Sequence, residues 1–290
     1  MSLRRVAAAS YPRRPQTLRC GQFTLDLARP VLMGIVNVTP DSFSDGGRHL
    51  AADAAIAHGR ALAAEGAAIL DIGGESTRPG ATPVDPVEEL RRVLPVVEAL
   101  AAEGYLVSID TRHPVVMRAA LRAGAAMVND VNALRAEGAV EACADSAAAV
   151  CLMHMQGTPQ TKQIDPCYQA IGSEVAAFLA SRAEVLRCAG VEPERIALDP
   201  GFGFGKTIAH NLELMRALPA LAALGYPLLV GLSRKSVLGA LTGQEPEHRV
   251  HASIVAAVLA VQRGAQLLRV HDVAATRTAL AVMAALEDAA

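Results

Sequence analysis

The run Val31-Leu32-Met33-Gly34-Ile35-Val36-Asn37-Val38-Thr39-Pro40-Asp41-Ser42-Phe43-Ser44-Asp45-Gly46-Gly47 changes character after Val36. Up to that point it is apolar and β-branched, the composition of a strand buried on both faces. From Asn37 onward it turns to hydrogen-bonding and turn-forming residues and ends in Gly-Gly. A buried strand that empties into a polar loop is how a rigid scaffold presents a site.

The same junction recurs along the chain. Further buried-strand candidates are Ala68–Ile72, Leu106–Ile109, Ala126–Val128, Ala149–Met153, Ile196–Leu198, Pro227–Val230 and Gln266–Val270. Helix-length amphipathic stretches separate them. One opens at Asp85-Pro86-Val87-Glu88, where Asp85 reads as the N-cap, Pro86 as the first helical residue and Glu88 as the capping-box partner. Eight strands alternating with helices predict an α/β fold, a (β/α)8 TIM barrel. An open doubly wound sheet is the alternative, but no G-x-G-x-x-G opens a helix after the first strand. Ahead of the barrel, Leu18, Cys20, Phe23, Leu25 and Leu27 alternate about Gly21, which predicts a short hairpin at the barrel floor. The expected organisation is a flexible tail over residues 1–16 and one domain over 17–290.

A net charge of −2, with five Phe, four Tyr and no Trp, argues against a nucleic-acid partner. No apolar run is long enough for a membrane span, and Val6–Ala9 is too short for a signal-peptide core. Five cysteines without a C-x-x-C suit reduced thiols and a cytoplasmic location.

The strand candidates end in Asn37; Asp71 with Gly73-Gly74-Glu75; Asp110-Thr111; Asn129-Asp130; His154; Asp199; Gly231 to Ser233; and Arg269 with His271. In a β/α barrel these ends share one rim, where active sites lie. Any single Asp, Asn or Thr there reads equally well as a helix cap. The set as a whole, with an Arg and a His that do not cap N-termini, points to a site. Arg269 and His271, two residues apart on the last strand, suit a phosphate-like anion; an ordinary salt bridge to Asp272 is the alternative. Asn37 beside a diphosphate could give Mg²⁺ one oxygen. Asp110, Asn129 and Asp199 offer acceptors to a flat heterocycle carrying paired N–H donors, with a glycosidase-type carboxylate pair as the lesser alternative. Gly201-Phe202-Gly203-Phe204-Gly205-Lys206-Thr207 lacks P-loop spacing. It reads as a turn exposing Phe204 to a flat ring, or else as turn glycines around a packing aromatic. Ser233-Arg234-Lys235-Ser236 opens a helix, with Arg234 or Lys235 as a rim cation and Ser236 as a cap. Cations oppose the helix dipole there, which suggests another use for them. His154 reads as a structural histidine.

The chain from about residue 30 to 275 resembles the dihydropteroate synthase family. The resemblance is carried by Asn37–Gly47, Gly73-Gly74-Glu75-Ser76-Thr77-Arg78-Pro79-Gly80, Ser108-Ile109-Asp110-Thr111, Val128-Asn129-Asp130, Met153-His154-Met155, Leu198–Phe204, Gly231–Ser236 and Arg269-Val270-His271-Asp272. It implies condensation of 6-hydroxymethyl-7,8-dihydropterin diphosphate with 4-aminobenzoate, inhibition by sulfonamides, Mg²⁺ as cofactor and a homodimer. Asp110, Asn129, Asp199 and Lys235 would hold the pterin, with Met153 packed on it. Asn37, Arg269 and His271 would hold diphosphate and Mg²⁺. Thr77, Pro79, Phe204 and Ser236 would border the aminobenzoate, with Asp41, Phe43 and Arg78 on mobile loops. Gln156 and Lys162 depart from the family pattern. Methyltransferases that share the pterin-binding barrel, and a catalytically silent pterin binder, are the alternatives. The methyltransferases would not need the Asn37 loop or the Arg269/His271 anion pair, and a silent binder should have lost one of the anion-site residues, none of which is lost here.

Overall fold

All eight predicted strands form and close on themselves. In the computed structural model, which describes residues 15–38, 48–75, 83–157 and 166–288, they make a closed barrel of parallel strands. Its strands are β3 (Val31–Asn37), β4 (Ile69–Gly73), β5 (Val107–Asp110), β6 (Met127–Asp130), β7 (Ala149–Met153), β8 (Ile196–Asp199), β9 (Leu228–Val230) and β10 (Ala265–Val270). Strand β10 pairs with both β3 and β9, which closes the ring. Around it lie α1 (Arg48–Glu65), α2 (Pro86–Ala102), α3 (Pro114–Arg122), α4 (Ala139–Ala144), α5 (Ile171–Cys188), α6 (Ile208–Ala222), α7 (Ser236–Thr242), α8 (Val250–Gln262) and α9 (Val273–Asp288). Thr39–Gly47, including Asp41 and Phe43, the residues Thr77, Arg78, Pro79 and Lys162, and residues 1–14 of the expected tail lie outside the described residues.

The two-residue period of each strand sorts its side chains into two layers. Leu32, Leu70, Ile72, Val107, Ile109, Val128, Val150, Leu152, Leu198, Leu228 and Leu268 face the helices and join the large outer core. Their neighbours Val31, Met33, Ile69, Met127, Ala149, Cys151, Ala197, Leu229 and Leu267 face the barrel axis. The hairpin β1 (Thr17–Cys20) and β2 (Phe23–Asp26) adds Leu18, Cys20 and Leu27 to this inner cluster, so it caps the floor as expected. Gly21 turns the hairpin at φ 58°, and its N–H donates to the Ala147 carbonyl at 2.9 Å. The first described residues are already tied to the barrel floor. The Gln16 carbonyl accepts from Leu27 N–H at 2.8 Å, and the Pro15 carbonyl accepts from the Gln266 side chain at 2.8 Å.

Two local expectations need correcting. Asp85 caps α2 by accepting from Val87 N–H at 2.8 Å, but Glu88 does not close a capping box. The Glu88 carboxylate pairs instead with Arg91 and with Arg92 at 2.9 Å. These cations, one turn further along the same face, offer it charge-assisted bonds. Ser236 is an exposed first residue of α7 rather than its cap, which is Lys235.

Candidate active site

One layer above the floor, most inward positions become polar. The same two-residue step takes Ile69 to Asp71, Ser108 to Asp110, Met127 to Asn129, Cys151 to Met153, Ala197 to Asp199 and Leu267 to Arg269. Six strands therefore deliver six side chains into one well at the C-terminal ends of the barrel.

Arg269 organises the well. Its Nε–H donates to Asp71 Oδ2 at 2.6 Å and its Nη2 to Asp110 Oδ2 at 2.7 Å. Asn129 Nδ2 donates to the same Asp71 oxygen at 3.1 Å. A carboxylate can only accept, so the nitrogen of the Asn129 amide must face Asp71. That leaves the Asn129 oxygen as an acceptor for a ligand. The alternative partner for Arg269, Asp272, is taken by Arg234 at 3.0 and 2.5 Å. Arg234 is thus a tie between two rim loops rather than a rim cation, and it holds a left-handed φ of 57° there.

Two strands round the ring from Arg269, Asp199 Oδ1 accepts from Gly201 N–H at 2.7 Å. Lys235 Nζ donates to the Phe202 carbonyl and lies 4.4 Å from the centre of the Phe204 ring. Phe204 packs on Met153, Met155 and Val131, which form a small apolar wall of their own. A flat ring against that wall would meet sulfur and aromatic carbon. His271 sits just past the end of β10, with its Nδ1 2.9 Å from Ser233 Oγ. Asn37 ends β3 exposed, in register with Gly73, which presents no side chain beside it. Asp110, Asn129, Met153, Asp199, Phe204, Lys235 and Arg269 therefore come together, while His271, Asn37 and Ser236 stand at the rim.

Burial raises the pKa of Asp110; the Arg269 guanidinium offsets this in part, and the Asp71 charge adds to it. Asp199 is also raised by burial, against the opposing pull of Lys235. Only the ionised Asp110 can accept from a pair of N–H donors with both oxygens and with charge assistance. Affinity for a ring with paired N–H donors is therefore expected to rise with pH, from the ordinary carboxylate range through the raised pKa. In Asp110→Asn the dependence should flatten, as binding titrations of such a ring across that range would show. The stability term has the opposite sign. The folded state holds the Asp110 proton longer than the unfolded chain, so this contribution shrinks as pH rises through the same window.

Of Asp71, Lys206 and Ser233, Lys206 is the one component that the polar strand endings do not include; Asp71 and Ser233 are among those endings, and the structure adds their partners, Arg269 with Asn129 and His271. Lys206 was the rejected P-loop lysine; it lies buried and donates to the Gly201 and Phe204 carbonyls at 2.9 Å each. Ser233, one of the polar strand endings, stands against His271. Lone His154 is structural, buried in an edge-on contact with Phe178. The departing Gln156 is a tie as well: its amide exchanges two bonds with the backbone of Cys167, at 3.0 and 3.1 Å.

A model of the family described as pterin binding enzyme matches residues 33–271. The dihydropteroate synthase of Neisseria meningitidis serogroup C is 54% identical, over 92% of this chain and 96% of its own. The chain belongs to the dihydropteroate synthase family of pterin-binding enzymes. The Xanthomonas albilineans dihydropteroate synthase, solved with 4-aminobenzoic acid, superposes with a TM-score of 0.89 at 55% identity, over 94% of this chain and 98% of that one. The Burkholderia cenocepacia dihydropteroate synthase, solved with 7,8-dihydropteroate, gives 0.87 at 49% identity, over 96% and 99%. The well lined by Asp110, Asn129, Asp199, Lys235 and Arg269 thus lies on a synthase barrel whose relatives hold both an aminobenzoate and a pteroate product.

Proposed function

We propose that the chain condenses 6-hydroxymethyl-7,8-dihydropterin diphosphate with 4-aminobenzoate, giving 7,8-dihydropteroate and diphosphate in folate biosynthesis. The observation that carries this reading is the convergence of Asp110, Asn129, Asp199, Lys235 and Arg269 in one well. Asp110 and Asp199 accept the ring's N–H donors, Asn129 Oδ1 adds a neutral acceptor, and Lys235 donates. Met153 and Phe204 cover the ring's flanks. Arg269 and His271 take the diphosphate.

The aniline nitrogen is already a neutral nucleophile, so the reaction does not depend on a general base in the well. The C–O bond breaks with its electron pair on the leaving diphosphate, whose charge Arg269 and His271 receive. The positive charge left on the pterin lies among the buried carboxylates Asp110 and Asp199. The amine lone pair then forms the C–N bond, and its spare proton leaves with the products. Asn37 supports a Mg²⁺ site of restricted kind. Among the described residues no group of three His, Cys, Asp or Glu side chains could hold a metal. An exposed amide oxygen suits an ion that draws its other oxygens from diphosphate and water. When bound, Mg²⁺ neutralises leaving-group charge.

The test mixes protein, pterin diphosphate, Mg²⁺ and 4-aminobenzoate and follows diphosphate release. Amine-dependent product, inhibited by a sulfonamide, is the expected result; release that ignores the amine would defeat the proposal.

We infer a homodimer from the apolar residues left exposed on neighbouring helices: Val255 and Leu259 on α8, and Val282 and Leu286 on α9. Each pair is one helical turn apart and so shares a face. Light scattering should give twice the chain mass, and Val255→Arg with Leu259→Arg should halve it. A monomeric wild type would overturn the inference. A cytoplasmic location is supported by the five unpaired thiols. No helix among the described residues is long and apolar enough to cross a membrane.

A further inference from the structure

Asp71 is the deepest charged group of the well. Its side chain is fully buried, whereas those of Arg269 and Asp110 are 22% and 15% exposed. Both of its bonds, from Arg269 Nε and Asn129 Nδ2, converge on Oδ2, and Oδ1 has no partner. Ser108 Oγ, next to it in register on β5, is likewise buried without one. As a stability element this is a poor arrangement. A buried oxygen without a bond costs free energy, and an apolar residue of similar volume commonly serves a core as well as a buried ion pair does. What the carboxylate does accomplish is geometric. It ties β4 to β10 and β6, and thereby fixes two side chains assigned to substrate.

Resting on the proposed reaction, we propose that Asp71 is a positioning residue. It holds the Nε edge of Arg269 and the nitrogen of Asn129, so that Asp110 can exchange Arg269 for the pterin ring without releasing either.

The two carboxylates have different access. Asp110 ends β5 and reaches the mouth of the well, so a ring can take it from Arg269. Asp71 lies one inward step below the strand end, where a ring seated on Asp110 does not reach it. Arg269 can give up its Nη2 bond while its Nε bond survives, and its remaining N–H groups point the fork at the diphosphate rather than into solvent. Asn129 is oriented by the same oxygen. Neutralising Asp71 would free the amide to turn over and present a donor where the ring needs an acceptor.

The test is a double-mutant cycle with Asp71→Asn and Arg269→Lys. In Asp71→Asn the KM for pterin diphosphate should rise about tenfold or more, with the KM for 4-aminobenzoate nearly unchanged. Arg269→Lys should cost several-fold less in that background than in the wild type. Additive losses, or equal rises in both KM values, would overturn the proposal, because a merely structural aspartate would lower the fraction of active protein without that pattern. Should Asp71→Asn not fold, the wild-type protein still decides. The Arg269 Nε–H resonance, identified by its loss in Arg269→Lys, should exchange slowly with solvent both without ligand and with a pterin lacking the diphosphate. Fast exchange in either state would overturn the proposal. This readout needs no turnover, so failure of the synthase assay and failure of the Asp71 assignment remain distinct.

Discussion

Arg269→Ala is expected to abolish useful turnover and to lower stability by about 3–5 kcal/mol, the usual cost of stranding a buried charge. The stability loss follows from what Arg269 touches. Asp71 is fully buried, and Asp110 is partly buried. Without the guanidinium, Asp71 keeps only the Asn129 amide, and Asp110 loses the main influence that opposes its burial. Its pKa should climb further, so more of it is protonated at neutral pH. Two separable binding defects follow. A pterin without diphosphate should bind more weakly near neutrality and recover as pH rises and Asp110 ionises. Pterin diphosphate should lose about a hundredfold or more, and this part should not recover with pH, because it reflects missing donors to the phosphate. Titration calorimetry with both ligands at neutral and alkaline pH would separate the two. Equal losses for both ligands at every pH would refute the diphosphate role.

Local patterning revealed the scaffold and the membership of the site far better than its wiring. Val31–Val36 announced a buried strand because β-branched residues on both faces leave few other solutions. The polar endings announced a rim because a barrel gathers strand ends there. The partners were hidden, since they form only when the barrel closes. Arg269 meets Asp71 across a separation of 198 residues and Asp110 across 159. A reading of neighbours offered Asp272 instead, which belongs to Arg234. Glu88 shows the reverse error: its spacing fits a capping box, yet two arginines one turn away won it. The cations at the start of α7, unfavourable beside a helix dipole, both have partners away from the helix. Arg234 ties the rim loops together, and Lys235 points to Phe202 and Phe204.

Lys206→Met is expected to cost about 3–5 kcal/mol of stability and to lower kcat/KM in whatever protein still folds. The methionine chain can fill most of the lysine's volume, so the loss would come from the ammonium. Lys206 is 3% exposed. Its Nζ donates to the carbonyls of Gly201, Phe204 and His154, at 2.9, 2.9 and 3.3 Å, and lies 3.0 Å from His154 Nδ1. Each acceptor left buried without a donor costs about 1–3 kcal/mol. The backbone cannot readily turn those carbonyls elsewhere. Gly201 and Gly205 sit at φ 70° and 63°, and a Cβ at either would run into the backbone of His154 or Gln156. An ammonium can only donate, so His154 Nδ1 must accept. Burial and the adjacent Lys206 charge together hold that imidazole neutral, with its pKa pushed down to about 3. The folded state therefore resists a proton that the unfolded chain accepts below its ordinary value, and this share of stability is lost as pH falls from about 6.5 toward 3. Lys206→Met removes one cause of that depression, so its stability deficit should narrow at acid pH while persisting at neutral pH. The functional loss follows from the same loop, which presents Asp199's partner Gly201, the Phe202 carbonyl that receives Lys235, and the Phe204 ring. Urea unfolding at two pH values, with kinetics on the soluble fraction, would measure both effects. A variant with wild-type midpoint and wild-type kcat/KM would show that the loop holds its shape without the lysine.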